Sequence, residues 1–487
     1  MQNTVAKKRP KTPFQLIHTW LLAIYSSPRV RYLRRLPIDH PRLLALGKAI
    51  IVFLFFFMIC FCTLDPDFGW HLMAGNYFRA HGIPSHDVFT YTARNFPWID
   101  HEWANDVLIS YLYQLQGYLL VSLFFAAIWT IGLLLNAWRA RFAILLVALA
   151  AMLPYATIRP TAWTVLGLAI MLRILLNKKP GKTILYLPLL FLFWANLHGG
   201  FVLGLAILFY FVIIRKSKPL LLILLLCLLA TLINPYGPRL YVEIFRTLTD
   251  WQLHTQTEGM SVFHLPSYTW ELILLWGAGF WLFARKKLIN WFSVSPLLLL
   301  TSLVATRNVP LFTMAATPEL NRYYTSAKYL IPKSLPRLAK IIYRSMVVIA
   351  IVIPAYFVIS GSIPTSNRET SYPVAAVAYL KTHQCNGNLY NDFNYGGFLI
   401  WQLPQYPVYI DGRMPSWRNP QGVKYIDIYL KISVDPTLQQ SIFKQYNVTC
   451  ALVENNGNWQ GFINRLRAQG WQAPVITNDS ILLIRPH

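Results

Sequence analysis

Charge is what this sequence lacks. Only 13% of its 487 residues are Asp, Glu, Lys or Arg, about half the ~25% usual in soluble domains. The shortage falls on the acids, 19 against 44 bases, for a net charge of +25. Cysteine is scarce too, with five in the chain, which excludes a disulfide-built scaffold. No glycine-rich loop of phosphate-binding spacing occurs, and Gly396-Gly397 alone is too short to be one. No Cys/His cluster has zinc spacing. These absences remove the nucleotide-loop enzymes and the zinc modules.

Long apolar runs stand where the charge is missing. The chain is 55% hydrophobic, with a mean hydropathy of +0.40. A membrane-crossing helix needs ~20 mostly apolar residues. Runs of that kind lie near 47–63, 117–136, 142–157, 161–176, 183–197, 199–214, 219–233, 269–284, 291–306, 309–325 and 343–361. The run at 309–325 is interrupted by Pro310, Pro318 and Glu319. The expected fold is a polytopic α-helical membrane protein of about eleven spans, N-terminus inside and C-terminus outside, with an external α/β domain.

The sorting of charge supports that orientation. Bases concentrate in Lys7–Arg42, Arg139/Arg141, Lys178–Lys182, Arg215–Lys218, Arg285–Lys287 and Lys328–Arg344, all on the expected cytoplasmic side. Of the acids, only Asp39 and Glu319 fall there. This is the positive-inside bias, and it leaves no basic face for a nucleic-acid partner.

Three regions follow. Residues 1–46 are basic and amphipathic. Trp20–Tyr25 is too short to be a signal sequence and is followed by Arg29–Arg35, so this segment is expected on the inner leaflet, drawn to anionic lipid. Residues 47–361 form the membrane domain, with an acidic first external loop at 65–106. Residues 362–487 form the external domain. There, short β runs (Asn388–Asn391, Val408–Asp411, Thr449–Glu454, Ser480–Ile484) alternate with helical stretches (Pro373–His383, Pro436–Tyr446, Trp459–Gln469), the pattern of an α/β sheet. Cys60, Cys62 and Cys227 fall in spans. Cys385 and Cys450 fall in the external domain, where they can either pair across adjacent parallel strands or remain thiols.

The first external loop carries the most chemistry. It holds Asp65, Asp67, Asp87, Asp100, Glu102 and Asp106, four histidines including His71 and His101, and Trp70, Trp98 and Trp103. The plain reading is a loop held by its own polar network with interfacial tryptophans. Polar groups at other external helix ends point the same way: Arg159-Pro160, Asn196 with His198-Gly199-Gly200, Asn234-Pro235-Tyr236-Gly237, and Arg307-Asn308. Ionisable groups at a bilayer are costly and default to function, although Arg159 and Arg307 can also simply snorkel.

With these motifs in view, the chain resembles the GT-C glycosyltransferases, the superfamily of the oligosaccharyltransferase catalytic subunits and the protein O-mannosyltransferases. It is most similar to a group of bacterial polytopic members. The resemblance is carried by Asp67-Phe-Gly-Trp-His71-Leu, His101-Glu102-Trp103, Asn196-Leu-His198-Gly-Gly and Asn391-Asp392-Phe…Gly396-Gly397-Phe-Leu-Ile-Trp401…Ile410-Asp411-Gly412-Arg413. The WWD-type acceptor motif of the oligosaccharyltransferases is missing. The resemblance implies a bacterial plasma-membrane enzyme with its C-terminal domain periplasmic. Its donor would be a sugar on a polyprenyl phosphate, and its acceptor a glycan, lipid or protein.

It also implies roles. The catalytic acid of the first loop maps onto Asp67, with Asp65 as the nearer alternative and Glu102 as a third carboxylate. Arg159, His198, Arg307, His71 and His101 would face the donor phosphate. Asn196, Trp70, Asp87 and Tyr236 would line the substrate. Direct displacement would invert the anomeric centre. Asp65-x-Asp67 with Asp87, His101 or Glu102 could assemble an oxygen-rich site for Mg²⁺ or Mn²⁺, and some GT-C enzymes work without one. Two rival classes are a flippase of lipid-linked saccharides, against which the lack of duplicated halves counts, and a non-catalytic envelope assembly protein.

Overall fold

In a computed structural model of the chain, the described residues are 41–177, 181–250, 267–285, 293–330 and 372–486. The expected inner-leaflet segment, up to residue 40, and the run at 343–361 lie outside them. By contacts the chain divides into residues 1–51 and 52–487; the packing below concerns the second unit.

The protein is mostly helical, with one small C-terminal sheet. Among the described residues two helices are long and apolar enough to cross a membrane, Ala45–Cys62 and Trp103–Ala137. The second contains the expected run at 117–136, but it begins earlier. Its backbone leaves helical geometry at Gln116 and at Gly117, where φ is +62°, a conformation that favours glycine. The stretch before this break carries first-loop residues and the stretch after it carries the apolar run. Shorter apolar helices of 10–17 residues occupy most of the other expected spans: Phe142–Met152, Thr161–Leu175, Gly181–Leu197, Phe201–Arg215, Lys218–Thr231 and Val294–Val304. At 1.5 Å per residue, an 11-residue helix such as Phe142–Met152 reaches only about half of a ~30 Å hydrocarbon core.

Ser267–Arg285 and Val309–Leu330 complete the set, and the latter runs unbroken through Pro318. The Glu319 carboxylate is accepted there because Trp276 Nε1 (2.9 Å) and the Tyr323 hydroxyl (3.3 Å) donate to it. Lys218–Thr231 turns Leu221, Leu222, Leu225 and Leu229 outward. Such a stripe is costly in water and suits lipid.

In the C-terminal region, β1 (Asn388–Asn391) pairs parallel with β2 (Val448–Glu454), which pairs antiparallel with β4 (Ser480–Ile484), with β3 (Gln472–Ile476) on the edge. The sheet order is β1-β2-β4-β3. Helices Val374–Thr382, Pro436–Gln445 and Gln460–Ala468 stand where expected. Two expectations fail. Val408–Asp411 is no strand of this sheet. Among the described residues its one β contact is a bridge from Val408 to Thr90 in the first loop, so this short apolar run serves a different partner. The strand at 472–476 was hidden by Pro474, which an edge strand with a register shift tolerates.

Cys385 and Cys450 form a disulfide, with Cα atoms 6.1 Å apart across the β1–β2 pair and 65 residues apart in sequence. Closing a loop of that length is worth about 4 kcal/mol in the chain-entropy account. Cys450→Ser is therefore expected to lower the unfolding midpoint of the C-terminal region markedly. An unchanged midpoint under reducing and non-reducing conditions would show that the bond adds nothing.

The first loop is welded to this region. A Cβ on Gly69 would overlap the Gly397 carbonyl oxygen, and one on Gly397 would overlap that of Pro66. Helices Phe68–His81 and Gly396–Gln402 therefore cross with backbones in contact, which only glycine permits. Phe68 packs edge-on to Trp401 at 5.5 Å. The Thr92 hydroxyl donates to the Tyr409 carbonyl at 2.6 Å, 317 residues away.

Candidate active site

Asp65 and Asp67 follow the first long helix and precede Phe68–His81, so two helix ends hold them. Asp65 is buried. Its Oδ2 accepts from Arg159 Nε and from the Thr157 hydroxyl (2.7 Å), and its Oδ1 accepts the Asp67 N–H (3.1 Å). Asp67 is half-buried. Its Oδ1 accepts from Trp70 Nε1 at 2.9 Å and rests against Gly412, where any Cβ would overlap it. Burial and then the charge of Asp65 push Asp67 above the usual carboxylate range, opposed by Arg159 and His71.

The second arm centres on Glu102. Its carboxylate lies 3.4 Å from His198 Nε2, 3.6 Å from His101 Nε2 and 3.7 Å from His71 Nε2. His198 stands in the turn between Leu187–Leu197 and Phe201–Arg215. The Gly200 N–H (3.1 Å) and the Thr164 hydroxyl (2.6 Å), itself receiving Trp194 Nε1, both meet its Nδ1. Nδ1 is therefore the acceptor, and Nε2 carries the proton toward Glu102. Burial, reinforced by His101 and Arg307, holds His198 well below its ordinary range, so it is a neutral donor. Arg307, in the short turn Thr306–Asn308, thus lies close enough to act on this arm. His71 stacks on Trp70 with ring centres 3.6 Å apart, and burial pushes it down to about 4.

Behind His71 sits a pair of acids that the sequence did not single out. Asp106 Oδ1 meets His71 Nδ1 at 2.6 Å and accepts from Asn105 Nδ2 at 3.1 Å. Asp100 Oδ1 accepts the Glu102 N–H at 2.9 Å. The remaining oxygens, Asp100 Oδ2 and Asp106 Oδ2, are buried without a donor, yet the two carboxyls lie within hydrogen-bonding reach of each other. Two adjacent buried carboxylates do not both stay ionised. Burial raises both well above the usual range, and one proton shared between the two carboxyls relieves their repulsion.

A measurable consequence follows. A carboxyl whose folded value is raised contributes stability that is complete below about pH 4 and lost as pH rises toward the folded value. Asn at position 100 keeps the acceptor for Glu102 N–H and supplies a permanent donor to Asp106. Asp100→Asn should flatten the loss of stability between pH 5 and 8 by up to about 1.4 kcal/mol per pH unit. Parallel unfolding profiles for variant and wild type would refute the shared proton.

Other expected site residues are placed differently. Asn196 is spent on structure, accepting from Trp103 Nε1 (3.0 Å) and donating to the Leu192 and Ile233 carbonyls. Asp87 stands apart from the Glu102 arm, capping the Thr90 turn (2.9 and 2.6 Å) and pairing with Arg413 Nη1 at 2.8 Å. Tyr236 sits beside Asp100, whose charge adds to burial in raising its hydroxyl. Asp65 is neutralised by Arg159 and Asp87 is committed to Arg413, so the expected Mg²⁺ or Mn²⁺ ligands do not fit a cation. Among the described residues no group of three His, Cys, Asp or Glu side chains is arranged to hold a metal.

Sequence reasoning also passed over Arg413 as a site residue. It is buried, paired through Nε (2.8 Å) and Nη2 (2.6 Å) with Asp411, and its guanidinium lies 4.6 Å from the Trp98 ring and 5.0 Å from that of Phe89. The signal was available in Ile410-Asp411-Gly412-Arg413, but its partner Asp87 is remote in sequence.

The fold has solved counterparts. An archaeal oligosaccharyltransferase from Archaeoglobus fulgidus, in complex with an inhibitory peptide and a dolichol-phosphate, superposes with a TM-score of 0.54 at 9% identity, covering 85% of this chain and 69% of that one. The apo form of the Archaeoglobus fulgidus oligosaccharyltransferase gives 0.52 at 10% identity, covering 85% and 70%. The fold is similar to that of these archaeal oligosaccharyltransferases. No family model matches the sequence, and no curated protein does. The likeness is therefore one of fold, at 9–10% identity.

Proposed function

We propose that this protein is an inverting glycosyltransferase that moves a sugar from a polyprenyl-phosphate donor to an acceptor hydroxyl at the external membrane face. The observation that carries the reading is the convergence, on an oligosaccharyltransferase fold, of first-loop carboxylates with cationic and donor groups from other helix ends. Dolichol-phosphate, the lipid in the complex of the archaeal protein, is a polyprenyl phosphate of the kind proposed here.

In the proposed step, Asp67 takes the proton of the acceptor hydroxyl. Its raised basicity suits a general base near neutral pH. Asp65, paired with Arg159, holds the Asp67 backbone in place through the Asp67 N–H. The acceptor oxygen attacks the anomeric carbon from the side opposite the phosphate. That carbon–oxygen bond to phosphate breaks, and its electron pair leaves on the phosphate. Arg307 and Arg159 meet the developing anion, while Glu102 holds the Nε2–H of His198 and orients His101, and the leaving phosphate competes with Glu102 for that Nε2–H. Trp70 and Tyr236 flank the sugar.

The test is direct. Protein in nanodiscs is offered a panel of polyprenyl-phosphate hexoses with simple glycan and lipid acceptors, and release of polyprenyl phosphate is followed. Turnover with inversion at the anomeric carbon supports the reading. Retention of configuration sinks the single displacement, and no donor consumption across the panel sinks the transferase.

A further inference from the structure

Helix Arg239–Thr249 has two apolar faces. One is inside: Leu240 and Ile244 are buried, the latter 7% exposed, and Glu243 on the same side pairs with Arg246 at 2.6 Å. The other faces out: Val242 is 69% exposed, Phe245 69% and Leu248 51%. Spaced at i, i+3 and i+6, these three form one stripe.

What covers that stripe can be argued from its surroundings. The helix follows Lys218–Thr231 after a turn of a few residues, and the end of that preceding segment exposes Leu229 and Ile233. The outward stripe thus follows, within a few residues of chain, on exposed apolar side chains suited to acyl chains. Its inner face meets the candidate site: a Cβ on Gly199 would lie 3.4 Å from Ile244 and 2.9 Å from the His101 ring. At the far end, Asp250 pairs with buried Lys424 of the C-terminal region at 2.6 Å.

We propose that Arg239–Thr249 lies in the plane of the external leaflet with Val242, Phe245 and Leu248 in lipid, as the wall between the bilayer and the His101–Glu102–His198 arm. A helix of this kind sinks ~5–10 Å into the headgroup–acyl boundary. Its partner is the bilayer itself. The inference does not depend on the transferase reading, since it concerns where the site sits and not what it does.

The test uses nitroxide labels at Val242→Cys, Phe245→Cys and Leu248→Cys. Buried Cys60 and Cys227 and half-buried Cys62 are replaced by Ala, and the Cys385–Cys450 bond is kept. In phosphatidylcholine–phosphatidylglycerol vesicles, collision with oxygen, which concentrates in lipid, is compared with collision with a water-soluble nickel chelate. All three sites should favour oxygen several-fold, at a depth just below the phosphates. Strong nickel collision would place the stripe in water. Protection from both reagents would place it under protein, either another segment of the chain or a second copy. Either result overturns the proposal.

Discussion

Asp67→Asn should fold, insert and bind donor lipid, yet transfer sugar ~10²–10⁴-fold more slowly, the usual loss for a positioned base. The amide oxygen still accepts from Trp70 Nε1, as the carboxylate does at 2.9 Å, so the backbone start of Phe68–His81 is kept. What disappears is the ability to take a proton. Asp65→Asn acts differently, because it leaves Arg159 without its anion. It should lower stability as well as rate, and Asp67→Asn should lower rate alone. Single-turnover transfer rates with thermal unfolding of the same samples separate the two. Near-normal transfer by Asp67→Asn with loss in Glu102→Gln would move the base to the Glu102 arm.

The largest effect on stability should come from Arg413→Met. The guanidinium, 3% exposed, sits between Asp87 and Asp411, whose side chains are both fully buried. Its contact with Asp87 is close but poorly aligned for a hydrogen bond. Removing the cation leaves two buried carboxylates uncompensated, and breaking such a network from one side costs ~3–5 kcal/mol. The first loop should then detach from the C-terminal region and become open to protease between Ser85 and Asp100. Arg413→Lys should not rescue it, because a single ammonium cannot reproduce the fork on Asp411. The triple change Arg413→Met, Asp87→Asn, Asp411→Asn removes charge from both sides and should recover much of the loss. If the single variant unfolds at the wild-type midpoint, the staple is not structural.

Much of this was legible from residue order. The apolar runs placed the helices because their length and composition are local properties. Asn388–Asn391 and Ser480–Ile484 read as strands for the same reason, with Leu389, Tyr390, Leu482 and Leu483 all buried. The density of acids between Asp65 and Asp106 located the candidate site. What order could not give was pairing at a distance. Asp106 and His71 are 35 residues apart, and either alone reads as one more polar loop residue. Val408–Asp411 has the short apolar run of a buried strand, but its partner is Thr90. Gly117, by contrast, could have been read as the place where Trp103–Ala137 breaks, since a glycine between a polar segment and an apolar run is a local signal.

The 317-residue separation between Thr92 and Tyr409 also has a meaning in time. A ribosome adding ~5–20 residues per second needs roughly 15–60 s to make the intervening chain. Asp67, His71 and Glu102 are thus finished long before Gly397 and Gly412 exist to seat them. Through that interval the nascent loop holds its acids and tryptophans without the glycine contact and without Arg413. The proposed catalytic groups are among the earliest parts to be synthesised and their geometry is among the last to form. A chain stalled between residues 308 and 412 would carry every residue of the proposed chemistry and still lack the contacts that seat them.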